Sequence, residues 1–241
     1  MLRQSGNALF LILIAVALFG ALSFAVTSMG RSGATDVTRE QSVITASSML
    51  QYGAAAAQAT QRLMMINGCT AEQISLENPE LAHPDPWGGT GNANAPSDGR
   101  CHLFDSRGGG MAYRRNPTSL DDSVVSKYQR LTGRLAVIGV GEDGNADLSL
   151  MTVLVMNDQT RALCEAYNAG LGLPTTLQTD GINTNDMSVF RGTYTDPGTD
   201  AGGHPRRVGD SATDLIGEYA GCFQSNGWGN YYFFYYVMAA R

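Results

Sequence analysis

Few side chains in this chain have the spacing to do chemistry. Asp143, Asn145 and Asp147 place oxygen donors at alternate positions, the pattern with which a loop wraps a calcium ion. The pattern stops there. Ala146 and Leu148 are not the glycine or ligand that an EF-hand needs, and position 154 holds Leu154 rather than a bidentate glutamate. Gly141-Glu-Asp-Gly-Asn-Ala-Asp147 reads instead as a hairpin turn. Asp196, Asp200 and His204 could meet around an ion, yet Asp196-Pro-Gly and Gly202-Gly are turn chemistry first. His83 and His102 are the only other histidines. The zinc-protease His-Glu-x-x-His, the Gly-x-Ser-x-Gly elbow, the phosphate-binding loop and the dinucleotide fingerprint are all missing. Gly108-Gly-Gly110 lacks the strand, helix and lysine that a phosphate cradle requires. The expectation is a chain that is not an enzyme, with no cofactor and no metal beyond the weak calcium candidates Asp143, Asn145 and Asp147.

Four cysteines remain: Cys69, Cys101, Cys164 and Cys222. No two lie within four residues of each other, which argues against a zinc ribbon or finger. An even count in an exported chain implies disulfides, with three possible connectivities. Sequence proximity favours Cys69 with Cys101 and Cys164 with Cys222. The first bridge would close a segment containing Pro79, Pro84, Pro86 and Pro96, too rich in breakers to be held by secondary structure. In the chain-entropy picture such a closure contributes on the order of 3–4 kcal/mol.

The elements that would carry these residues follow from periodicity. Val43, Ala46, Leu50, Ala54, Ala57 and Leu63 or Met64 recur at helical spacing and predict an amphipathic helix over 36–66, capped by Thr35 or Asp36 and ended by Asn67-Gly68. Gly53-Ala-Ala-Ala-Ala57 has almost no side-chain bulk and lets another element approach closely. Arg134–Val140 and Leu148–Met156 read as an antiparallel hairpin, and Asp158 as the cap of a helix to about Asn168. Residues 174–214 are loop-like, with a short strand at Met187–Phe190. The six aromatics Tyr231–Tyr236 predict a strand with three rings on each face, one covering the long helix and the other free for a neighbouring subunit.

A net charge of −6, with Lys127 the sole lysine, leaves no basic face for phosphate and excludes nucleic acid as a partner. The amino-terminal part has the opposite character. Ala8 to Val26 holds 19 residues without a charge, enough for roughly 28 Å of helix, close to a bilayer's hydrocarbon thickness. Arg3 precedes the run and the next basic residue is Arg31, which predicts an amino-terminal end in the cytoplasm and everything past Val26 exported. Cleavage at Ser23-Phe-Ala25 would release a soluble protein, and absence of cleavage would leave a plain anchor.

A short basic stretch ending in Gly6 and running into an unbroken apolar helix from Asn7 also resembles the leader of type IV pilins and pseudopilins. That resemblance implies cutting between Gly6 and Asn7 by a prepilin-type peptidase. It implies a pilin-like α+β fold: a long, membrane-capable amino-terminal helix packed on an antiparallel β-sheet head with long loops. The chain would divide into a leader over 1–6, an apolar helix over 7–33 and an exported head over 34–241. Within the head come the helix over 36–66, the disulfide-closed loop over 69–101, and sheet and helix over 102–241. Leu9, Phe10, Leu11, Ile12, Ile14, Val16, Phe19 and Gly20 would pack the filament core. Leu11 stands where most major pilins carry a glutamate, so register would be held by packing alone. The function implied is a structural subunit of a type IV pilus-like filament. Its partners would be other copies, the inner membrane, the pilus assembly machinery and the peptidase. It would reside in the inner membrane before assembly and at the cell surface after it. The alternative is a membrane-anchored or secreted periplasmic binding module that does not polymerise.

Overall fold

A computed structural model describes residues 39–76, 91–114, 125–142, 146–182, 190–194, 207–225 and 230–241, with only the backbone described over 125–134. Residues Ser42–Arg241 form one compact unit. The leader boundary at Gly6 and Asn7, the packing residues Leu9 to Gly20, the calcium candidates Asp143 and Asn145, and His83, Asp196, Asp200 and His204 lie outside the described residues. So does most of the strand expected at Met187–Phe190.

Helix α1 covers 39–65. It ends as Asn67-Gly68 predicts: Gly68 adopts φ +67° and the Cys69 N–H donates to the Leu63 carbonyl at 3.1 Å, closing the last turn. Its buried stripe is rotated from the one expected. Val43 is 49 % exposed, and Leu50, Ala54 and Ala57 are half-buried. The buried positions are Ser42, Thr45, Ala46, Met49, Tyr52, Gly53, Ala56, Ala59, Thr60 and Leu63. Most are small or hydroxylic, so a search for large apolar residues misses this face. Its flatness is its use. Gly53 has no Cβ, and one placed there would stand 2.7 Å from Cγ of Tyr236. The Thr60 hydroxyl reaches the Met238 sulfur at 3.9 Å.

The sheet is built on β1 (Val125–Val137), β2 (Asp147–Val155), β3 (Thr179–Asp180), β4 (Arg207–Val208), β5 (Ala220–Ser225) and β6 (Tyr231–Ala239), in the order β3-β5-β6-β2-β1-β4. The four central strands run antiparallel, while β3 and β4 add parallel to β5 and β1. Helix α2 (Asp158–Gly170) is capped by Asn157 rather than Asp158: the Asn157 side chain accepts from the Thr160 N–H at 2.8 Å, and the Thr160 hydroxyl accepts from the Asn157 N–H at 2.9 Å.

Alternation along β6 separates two cores. Tyr232, Phe234 and Tyr236 meet α1 and α2 together with Leu154, Leu163 and Tyr167, and Met238 continues this face to Leu63, Leu148 and the disulfide lobe. Phe233, Tyr235 and Val237 face the other way, into a core with Met151, Val153, Leu135 and Phe223. The second set of rings is not free for a neighbouring subunit, because Phe233 and Tyr235 are 0 % and 1 % exposed. The chain's own curled sheet covers them.

The pilin-like arrangement expected above is therefore corrected. Among the described residues there are two α-helices, and neither is long and apolar enough to cross a membrane. Glutamines and arginines line the outer side of α1. The sheet is mixed and nearly closed rather than simply antiparallel. Two-residue strands such as β3 and β4 are too short to show alternation, and so left no signal.

Two disulfides fix the lobes: Cys69–Cys101, with Cα atoms 5.8 Å apart, and Cys164–Cys222, at 5.5 Å. These are the pairs that sequence proximity favours. The second joins α2 to β5, and Asn168 of α2 reinforces it by bonding both the N–H and the carbonyl of Cys222.

The Gly53 contact gives a signed expectation. Helix propensity alone would make Gly53→Leu stabilising by about 1 kcal/mol. Displacement of Tyr236 should reverse the sign, to a net loss of about 1–3 kcal/mol in chemical denaturation. Ala55→Leu on the exposed side should stay within about 0.5 kcal/mol of the parent. Equal effects from both substitutions would contradict this packing.

Candidate functional site

Charged and polar side chains from four separate segments converge at one place. Glu72 comes from the short 3-10 turn Ala71–Gln73 of the disulfide lobe, Asp147 opens β2, Tyr194 lies between β3 and β4 in sequence, and Arg241 follows β6. The Arg241 guanidinium lies 4.0 Å from the centre of the Tyr194 ring and 3.7 Å from the Glu72 carboxylate. Its backbone N–H donates to Oδ1 of Asp147 at 3.1 Å, and its carbonyl accepts from the Glu142 N–H. Oδ2 of Asp147 accepts from the Val137 N–H at 3.3 Å. Gly141 lets these strands close up: it holds φ +65°, and a Cβ there would stand 2.8 Å from the Arg241 nitrogen.

The electrostatics argue for a tie rather than a reaction centre. Asp147 is fully buried, and burial pushes its carboxyl up to about 6 despite the two N–H donors and Arg241, which pull the other way. Both oxygens already have backbone partners, so this member of the calcium triplet serves the hairpin. Tyr194 is held protonated, since burial raises its phenol well above the usual range. Among the described residues its enclosed hydroxyl has no hydrogen-bond partner. Among the described residues no three His, Cys, Asp or Glu side chains stand close enough to hold a metal ion.

The lobe that carries Glu72 is organised by another buried polar residue. Asn92 donates to the carbonyls of Glu72 and Ile74 at 2.7 and 2.8 Å and accepts from the Asn94 N–H at 2.9 Å, while Asn94 reaches the Gly192 carbonyl. A shallow pocket beside α2, against Cys222, has room for about one water molecule. That is below the size of typical small-molecule sites. Three of its polar lining residues are engaged elsewhere: Asn168 with the Cys222 backbone, and Gln178 with Asp214.

No protein-family model, curated protein or solved structure matches this chain. The chemistry of the site stands on its geometry alone. All four cysteines are paired, which points to an oxidising location, extracellular or periplasmic. Glu72, Asn92 and Arg241 escaped sequence reasoning because each is a lone residue without motif spacing. Asp147 is the one member of the calcium triplet among the described residues.

Asp147 sets a pH dependence whose sign is fixed. Its folded carboxyl titrates near 6 against 3.8 when unfolded, so between those values the folded state holds a proton that the unfolded state has released. Its contribution to stability is fully present below about 3.8 and is lost as pH rises towards 6. The stability of the parent minus that of Asp147→Asn should therefore grow as pH falls from 7 to 4, measured by denaturant titration at each pH. A difference that shrinks over that range would contradict the assignment.

Proposed function

We propose that the chain is a non-enzymatic structural subunit of a type IV pilus-like filament, exported and assembled through its apolar amino-terminal segment. The observation that carries this is the leader-like boundary at Gly6-Asn7 followed by the uncharged run to Val26. The fold of the head is not an argument for it, since that fold departs from the pilin-like layout. Two features of the head fit the proposal: both disulfides suit the exterior, and the buried side chains of Asp147 and Asn92 are engaged with the chain's own backbone. In this reading the chain resides in the inner membrane, is cut by a prepilin-type peptidase and is drawn into a bundle where van der Waals packing of Leu9 to Gly20 replaces lipid contact.

The nearly closed sheet favours a second reading, because it turns half of its aromatic rings into its own core. A head so complete in itself suits a membrane-anchored or secreted periplasmic binding module that never polymerises.

Mass spectrometry of the mature amino terminus tests the first reading. Asn7, free or methylated, is expected. Val26 at the terminus would overturn it, and an intact Met1 would leave a plain anchor and the binding-module reading.

A further inference from the structure

The outermost strands each add two residue pairs to the sheet: Thr179 and Asp180 beside Gln224 and Ser225, and Arg207 and Val208 beside Ala136 and Val137. In a flat sheet of this order β3 and β4 would stand about 24 Å apart, five strand spacings of roughly 4.8 Å. They meet instead. Asp180 is fully buried, and its Oδ2 accepts from the N–H of Gly209, the residue after β4, at 2.8 Å. Oδ1 accepts from Gly181 at 2.8 Å, and the Ala212 N–H also donates to this carboxylate.

Two residues before Asp180, Gln178 makes a second clasp nearer the surface. Its amide donates to Oδ2 of Asp214 at 2.7 Å and accepts from the Asp214 N–H at 3.0 Å. Among the described residues no backbone-to-backbone hydrogen bond joins β3 to β4. The neighbouring bonds stay on their own sides: Ser225 to the Ile182 carbonyl on one, the Ile138 N–H to Val208 on the other.

We propose that the line between β3 and β4 is a conformational joint, fastened by Gln178 outside and Asp180 inside, along which the sheet opens locally while the rest stays folded. The contrast in pairing supports this. Eight register pairs join β2 to β6, against two at each outer strand. The Cys164–Cys222 bridge holds β5 to α2, so opening stops at β5. Ile182, Val208 and Ala212, each 2 % exposed or less, lie beneath the joint and would be bared when it parts. Local openings of this kind are measurable as amide exchange that outruns global unfolding.

Native-state hydrogen exchange on the full chain tests the joint. The Gly209, Ala212 and Asp214 amides should exchange at least about tenfold faster than those of the β2–β6 ladder, with a weaker denaturant dependence. Gln178→Ala, at an exposed clasp that leaves the core intact, should speed the Gly209 and Ala212 amides several-fold without moving β6. Asp180→Asn should speed them further. Exchange of the joint and of β6 in step, in the parent and in Gln178→Ala, would overturn the proposal even if Asp180→Asn failed to fold.

Discussion

Everything described here depends on the fit between β6 and what lies on each side of it. Four of its rings, Tyr232, Phe233, Phe234 and Tyr235, are at most 4 % exposed. At about 1.5–3 kcal/mol per buried large side chain, they contribute roughly 6–12 kcal/mol, the same order as the whole net stability of a domain. Such burial needs a receiving surface on both faces. On one face α1 provides it by being nearly flat, with Gly53, Ala56 and Ala59 in line. On the other the sheet provides it by curling until β3 and β4 meet. A straight, open sheet would leave Phe233 and Tyr235 in water.

The polar side chains serve that closure. Asp147 holds the β1–β2 hairpin to the end of β6, Asp180 joins the sheet's two edges, and Asn92 and Asn168 satisfy backbone groups that would otherwise be buried unpaired. Each sits where a carboxylate or amide could have served a ligand, and each is engaged by the fold. These four side chains thus serve the fold itself.

Parts of this were legible in the sequence. The hairpin, α2, the aromatic strand and the helix stop at Asn67-Gly68 each rest on a run long enough to show a period or on a residue with one conformational purpose. The disulfide pairs followed from proximity. The buried stripe of α1 was misplaced by about one residue, because Ser42, Thr45, Gly53 and Thr60 carry no hydropathy signal although they face the core. The sheet's closure was invisible for a different reason. It depends on Gln178 and Asp180 meeting partners some thirty residues away, and no local pattern encodes that. The expected pilin-like layout differs from the structure here and in its helices, neither of which, among the described residues, is long and apolar enough to cross a membrane.

The central functional claim is that this head travels with a polymer. Immunogold imaging of sheared cell-surface material, with antibody raised against the head, tests it most directly. Filaments bearing the label, along their length or at a tip, are the expected result. Label confined to monomeric protein in the membrane or periplasmic fraction, with filaments left bare, would contradict it.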